Sequence, residues 1–406
     1  MNYQETISWM FEKLPMYQKM GASAYKADLN NTLKMMDYLN HPDKEVKCIH
    51  IAGTNGKGST SSLMASVFQE CGYTTGLYTS PHLKSYRERI KINGVEIEES
   101  FVVDFFEKHI NFFEEHQLSF FEMTVGLAFD YFRAKKIDIA VIEVGMGGRL
   151  DATNVITPLL SVITNIGLDH TQFLGDTLAA IASEKAGIIK EGITVIIGEY
   201  HSETINVFKE TSKNVKATFI PAFEYEGEVF ESDLKGDYQI HNRRTALVAL
   251  KTLNSISDFK IVDEKIKTGF LKVKENTGLM GRWQQIHSNP TIICDTAHNG
   301  HGLEYVTKRL KEEKHNTLHI VLGVLNDKNL DEILPLFPKH AMYYFAKPNI
   351  PRGLDAIQLS IKALEFNLKG TSYNSISQAY EEAIKRAQPE DFIFVGGSTF
   401  TVAEIL

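Results

Sequence analysis

The sequence predicts an α/β protein with two parts. The first is an N-terminal, doubly wound sheet that binds a mononucleotide through a P-loop. The second is a smaller, Rossmann-like C-terminal α/β domain. Three observations predict this. The strand-like stretch Val46-Lys47-Cys48-Ile49-His50-Ile51-Ala52 runs straight into Gly53-Thr54-Asn55-Gly56-Lys57-Gly58-Ser59, and then into apolar residues at helical spacing, Leu63, Met64, Val67 and Phe68. Downstream, short apolar runs alternate with amphipathic stretches, the pattern of βαβ units. That alternation restarts near residue 290, which places a linker near Gly278–Arg282 and domains at 1–280 and 281–406.

The elements follow in order. Residues 1–45 read as amphipathic helix interrupted at Pro15 and Gly21. After the glycine loop and its helix comes a strand at Thr74–Tyr78, then Thr79-Ser80-Pro81-His82. Residues 86–97 read as a hairpin turning at Asn93-Gly94, a pair suited to the positive φ angles of a tight turn. Helices are expected at 100–116 and 121–135, then a buried parallel strand over 137–144. Strands at Leu159–Thr164 and Thr194–Gly198 enclose a helix at 177–189. In the second half, Thr291–Asp295, Leu318–Gly323, Met342–Ala346 and Phe392–Val395 are the expected strands.

Bulk properties narrow the function. A chain of 406 residues exceeds one small core, and a net charge of −8 argues against a nucleic-acid partner. No apolar run is long enough to span a bilayer, and the N-terminal residues lack the basic start and apolar segment of a signal peptide. Cys48, Cys71 and Cys294 are scattered in apolar segments and read as buried reduced thiols, which points to the cytoplasm.

Strand, glycine turn with lysine, then helix is the layout that lets backbone N–H groups and a helix N-terminus converge on phosphate. Lys57 would reach the β and γ phosphates, and Ser59 or Thr60 would face Mg²⁺. The general spacing is not met, because Ile51 stands where a glycine is usual and Gly58 follows the lysine. Ligands of parallel sheets sit beyond the carboxyl ends of strands. Ser80, Glu143, Asp169 and His170 fall at such ends. A hydroxyl, a carboxylate and an imidazole there could ligate Mg²⁺ between substrate phosphates. The alternative for Glu143 is an ion pair with Arg149, and for His170 a satisfied loop histidine.

Spacing alone reads Lys185 as a surface lysine on a helix. Lys84, Arg87, Arg89 and Lys91 read equally as a binding cluster or a solvated hairpin face. Asp295, at a strand end, is placed for a ribose or a cation. His298 is placed for a phosphate or a metal-bound water, and Arg282 for the polyphosphate.

The residues resemble the Mur ligase superfamily. Gly53-Thr54-Asn55-Gly56-Lys57-Gly58-Ser59 departs from the general P-loop pattern as that superfamily does. Leu77–Leu83, Tyr86–Ile90, Glu143–Asn154, Leu168-Asp169-His170, Glu184–Ile188, Gly281-Arg282, Asp295–Asn299 and Gly396-Gly397-Ser398 are similar, in order, to the folate branch, the folylpolyglutamate synthase/dihydrofolate synthase family. The resemblance implies an ATP-dependent ligase adding L-glutamate to tetrahydrofolate, or to dihydropteroate, through an acyl phosphate. It implies Ser80 and Glu143 on one Mg²⁺ and His170 on a second, a carbamylated Lys185, ATP contacts from Asn242, Arg282 and Asp295, and His298 near the reacting phosphates. It implies a monomer. Gly300 departs from the family, which commonly has proline after His-Asn. A cell-wall Mur ligase is the enzyme alternative, disfavoured because residues before Val46 leave no room for a uridine-nucleotide domain. A P-loop switch is the other, and it leaves Ser80, Lys185, Asp295 and His298 unexplained.

Overall fold

The computed structural model describes residues 1–13 and 28–406. Pro15 and Gly21, the expected interruptions of the N-terminal helical region, lie outside the described residues. The chain forms two compact units: Met1–Asp233 with Gln239–Leu279, and Leu234–Tyr238 with Met280–Leu406. The short segment Leu234–Tyr238 thus belongs with the second unit, which no composition shift signals.

The first unit is an eight-stranded sheet. Its strands are β1 (Cys48–Ala52), β2 (Thr75–Tyr78), β3 (Ile90–Ile92), β4 (Val95–Glu96), β5 (Ile139–Glu143), β6 (Leu160–Ile163), β7 (Val195–Ile197) and β8 (Phe219–Pro221). Their order is β4-β3-β2-β5-β1-β6-β7-β8. All pairings are parallel except β2–β3 and β3–β4. β1 lies between β5 and β6, and its residues are all buried, as two-sided burial of a parallel strand requires. The chain runs from β1 to β2 on one side of β1 and crosses from β5 to β6 on its other side, so the carboxyl end of β1 is a topological switch point, where such sheets bind ligands. Helices Glu99–Glu115 and Phe120–Ala134 close one core with Cys48, Ala140 and Ile142. Another core joins Ala52, Ile163 and Ile197 to Ile181 and Phe208.

The second unit is a six-stranded sheet: β9 (Gln284–Ser288), β10 (Thr291–Asp295), β11 (Leu318–Leu322), β12 (Met342–Ala346), β13 (Gly370–Tyr373) and β14 (Phe392–Gly396), in the order β13-β12-β11-β14-β10-β9. Only β9 is antiparallel. The sequence reading names β10, β11, β12 and β14, the buried apolar runs. It misses β8, β9 and β13, whose side chains are mostly half-exposed or exposed and carry no such run.

The hairpin turn at Asn93-Gly94 forms as expected, with φ of 47° and 77°. Its first limb differs. Tyr86–Arg89 is a 3₁₀ turn, because Ser85 and Glu88 make a reciprocal capping box that ends extended structure there. No helix among the described residues is long and apolar enough to cross a membrane.

Candidate active site

The glycine loop leaves β1 and is held by the residues that leave β6. The Thr54 N–H donates to the Asn165 carbonyl (2.9 Å), and the Asn55 N–H to the Asn165 side-chain oxygen (2.9 Å). The Thr164 hydroxyl donates to the Asn55 carbonyl at 2.6 Å. Gly53 has no room for a side chain: a Cβ there would lie 1.8 Å from Thr164 Oγ1. Lys57, first residue of the helix Lys57–Glu70, folds back so that Nζ donates to the carbonyls of Gly53 (3.0 Å) and Thr54 (3.1 Å). The helix Gln239–Ile256 closes the other side of the loop. Gln239 donates to the Ser59 hydroxyl (3.2 Å) and accepts from the Asn242 amide (2.9 Å). Ser59 and Thr60 are both buried, with Ser59 turned to Gln239 and the Thr60 hydroxyl without a hydrogen-bond partner. The spacing expectation that one of them faces a metal therefore meets inward-turned hydroxyls. Thr164, Asn165 and Gln239 went unnoticed in the sequence. The first two stand at the end of the strand next to β1, which is the signal that could have found them.

The strand-end residues beside the loop converge in part. β2 and β5 pair in parallel, and the Ser80 N–H donates to Glu143 Oε2 at 3.0 Å. The Glu143 side chain is buried. Arg149, the guanidinium weighed as its partner, instead lies on Glu184 at 2.7 Å. His170 adopts φ 51° and stands next to Asp169, whose carboxylate accepts the His170 N–H at 2.9 Å and lies 3.9 Å from Nε2.

Lys185 is not a surface lysine. It is 4% exposed, in the helix Leu178–Ala186. Burial, followed by the charge of Lys57, brings its ammonium down to about 7, against the opposing fields of Asp169, Asp151 and Glu184. Nor do the four basic residues of 84–91 form a solvated face or a cluster. Arg89 and Lys91 are buried; Arg89 donates to His82 Nδ1 (2.8 Å), Lys91 to the Thr277 carbonyl (2.9 Å), and Arg87 pairs with Glu99. Burial beside Arg89 holds His82 neutral, down to about 3.

In the second unit Asp295 ends β10 and is buried. Its carboxylate accepts from the Tyr238 hydroxyl (2.6 Å), the Trp283 N–H (2.7 Å) and the Ala297 N–H (2.8 Å). Burial raises its pKa against those bonds. Arg282, beside it, donates to Thr296 Oγ1 and to the Gly281 carbonyl. His298 Nδ1 lies 2.9 Å from the Thr296 carbonyl, so that nitrogen carries a proton and donates it there.

Glu143 with Ser80 is a hard-oxygen pair, the donor chemistry Mg²⁺ prefers. Among the described residues no three His, Cys, Asp or Glu side chains assemble a metal cage. A magnesium ion here would thus take the rest of its shell from phosphate oxygens and water, as it usually does.

The Mur ligase middle domain matches residues 51–251, and the Mur ligase glutamate ligase domain matches residues 281–399. The dihydrofolate synthase/folylpolyglutamate synthase of Bacillus subtilis is 31% identical, over 99% of this chain and 98% of its own. The Escherichia coli protein of the same name is 33% identical, over 88% and 85%. Among solved structures, E. coli FolC in complex with DHPP and ADP superposes with a TM-score of 0.86 at 30% identity, covering 100% of this chain and 97% of that one. A bifunctional folylpolyglutamate synthase/dihydrofolate synthase with Mn, AMPPNP and L-glutamate bound gives 0.86 at 27%, covering 100% and 97%. A P-loop of this unusual spacing at the switch point, a second α/β unit, and identity sustained over nearly the whole chain place the protein in the dihydrofolate synthase/folylpolyglutamate synthase family of Mur ligases.

Proposed function

We propose a division of labour among the residues of this ATP-dependent ligase, which adds L-glutamate to folates. The loop Gly53–Ser59 and Lys57 take the ATP phosphates, with Asn242, Arg282 and Asp295 as further ATP contacts. The observation that carries this reading is the loop itself, clamped by Thr164 and Asn165 and closed by Asn242. The relatives solved with ADP or AMPPNP support it.

The folate carboxylate attacks the γ-phosphorus, the bond to the β-phosphate oxygen breaks, and ADP leaves an acyl phosphate. The amine of L-glutamate then attacks the acyl carbon, loses a proton, and expels phosphate. Both steps bring anions together, so catalysis is chiefly positioning and charge neutralisation. Lys57 supplies one fixed positive charge. His298, whose Nδ1 is turned to the Thr296 carbonyl, is suited to hold or pass a proton at Nε2 near the reacting phosphates.

Ser80 and Glu143 would hold one Mg²⁺ and His170 a second. Divalent metal, when bound, neutralises charge shared between substrate carboxylate and phosphate. The manganese of a bifunctional relative supports a divalent ion. Lys185 is proposed to be carbamylated: its amine is buried and titrates near neutrality at about 7, so a neutral nitrogen is present to add to CO₂. The product is a carboxylate-like side chain beside Lys57.

The chain is proposed to act on both dihydropteroate and tetrahydrofolate, as a cytoplasmic monomer. The test is phosphate release from ATP with Mg²⁺, bicarbonate and L-glutamate, comparing the two pterins. Release with both supports a bifunctional enzyme, and release with tetrahydrofolate alone restricts it to polyglutamylation. Lys57→Ala is expected to abolish turnover in a folded protein. A folded variant with near-normal rate would remove Lys57 from the mechanism.

A further inference from the structure

Asn154 lies in the short turn Ala152–Val155, outside every role assigned above. It is buried, 6% exposed. Its Nδ2 donates to two backbone carbonyls at once, that of Arg149 (3.0 Å) and that of Gly187 (3.1 Å). Since both neighbours are acceptors, the nitrogen of the amide must face them. The Asn154 backbone is held as well: its N–H donates to the Asp151 carbonyl (2.8 Å), and its carbonyl accepts from Lys190 Nζ (3.1 Å).

The two carbonyls belong to segments that matter. Arg149 is in the loop that begins at Glu143. Gly187 caps the helix Leu178–Ala186, which carries Lys185. These segments touch without slack. A Cβ on Gly187 would lie 2.4 Å from Arg149 Cα, and one on Gly148 would lie 3.0 Å from Lys185 Cα. The Arg149 N–H adds a bond to the Glu184 carbonyl at 2.7 Å. One side-chain amide therefore bridges the loop behind Glu143 and the end of the Lys185 helix, where two carbonyls facing one buried spot need a shared donor.

We infer that Asn154 is a positioning residue. Its amide locks the Glu143 loop to the Lys185 helix and so sets where the Lys185 nitrogen stands relative to the Glu143 carboxylate. The inference rests on the reading of Lys185 given under the proposed function. Asparagine is required because both its N–H groups are spent. Aspartate has the same shape and presents only acceptors, and alanine presents nothing. Either lets the helix end shift against the loop, and a misplacement of about 1 Å at a reacting centre costs on the order of 10²-fold in rate.

The test compares wild type, Asn154→Asp, Asn154→Ala, Asn154→Ser and Lys185→Ala. Phosphate release gives kcat and the KM for ATP and L-glutamate, and thermal unfolding gives stability. Asn154→Asp and Asn154→Ala are expected to lose about 10- to 100-fold in kcat, with both KM values within about threefold. Asn154→Ser, which keeps one donor, should fall between them and wild type, and serves if a harsher variant does not fold. A lower unfolding temperature with unchanged kcat per folded molecule overturns the inference, because Asn154 would then support the fold alone. An equal rise in KM for ATP overturns it too, by moving the effect to the nucleotide. Lys185→Ala with wild-type kcat would instead sink the reading of Lys185, and the inference with it. That failure is distinguishable because it occurs with Asn154 intact.

Discussion

The side-chain oxygen of Asn242 occupies the place where a side chain on Gly56 would begin. A Cβ on Gly56 would fall 2.1 Å from Asn242 Oδ1. Gly56 also has φ +79°, which L side chains rarely adopt. Gly56→Ala is thus expected to distort the loop and displace Asn242 together, costing about 1 kcal/mol or more in stability and at least about tenfold in ATP affinity, roughly 1.4 kcal/mol. Calorimetric titration with ATP and a thermal melt check both. Wild-type affinity in Gly56→Ala would show that the loop does not depend on this contact.

Lys185 should make stability depend on pH. Its pKa falls from 10.5 to about 7 in the native state. The unfolded chain takes up a proton as pH drops below 10.5, and the native chain does not until about 7, so stability is lost across that window and the penalty is complete below it. Lys185→Met in CO₂-free buffer should therefore melt higher than wild type at pH 7, with the gain shrinking toward pH 10 while turnover is lost. A gain independent of pH would contradict burial of the amine as its source.

His50 acts in the same direction in a lower, acid window. Nε2 lies 2.9 Å from the Thr153 hydroxyl, and burial, followed by the charge of Lys190, brings its pKa down from 6.5 to about 3. Stability is present above 6.5 and drains away as pH falls toward 3, because only the unfolded state binds the proton there. Urea midpoints at pH 7 and 4.5 should converge in His50→Gln relative to wild type. An unchanged difference would assign the acid sensitivity elsewhere.

Gly300, the departure from the family, stands at the first position of the helix Gly300–Glu312, after the cap Asn299. Asn299 is extended, with φ −131° and ψ 163°, as a residue before proline must be. A Cβ on Gly300 meets the Glu332 side chain, 2.1 Å from Oε1, 2.9 Å from Cδ and 3.1 Å from Cγ, so that side chain must shift. Gly300→Pro is expected to stabilise by about 0.5 to 1 kcal/mol, read as a higher melting temperature at unchanged kcat. A lower melting temperature would mean that the Glu332 carboxylate is held there at real cost to move.

The positions of most candidate residues relative to the strands were readable before the fold. Gly53–Ser59, Ser80 and Glu143 stand at or just past strand ends, because parallel strands announce themselves as apolar runs and the chain must turn just after them; His170 comes seven residues after β6. Lys185 shows where such reading stops. Its neighbours Glu184 and Ala186 suit an exposed helix as well as a buried one, and only packing against Gly148 and the charges of Lys57 and Asp169 decides. Arg89 and Lys91 fail in the same way: a run of cations looks solvated until a partner such as His82 or the Thr277 carbonyl is brought from another part of the chain.

By itself, then, the sequence determined the two sheets, their central strands, the glycine loop after β1 and the order of the motifs, since all of these depend on residues near one another in the chain. Tertiary structure alone decided the edge strands β8, β9 and β13, the allegiance of Leu234–Tyr238, the burial of Lys185, and the contacts of Asn242 with Gly56 and of Asn154 with Arg149 and Gly187. Those depend on which distant segments meet, and hydrogen bonds and desolvation act through that proximity rather than through distance along the chain.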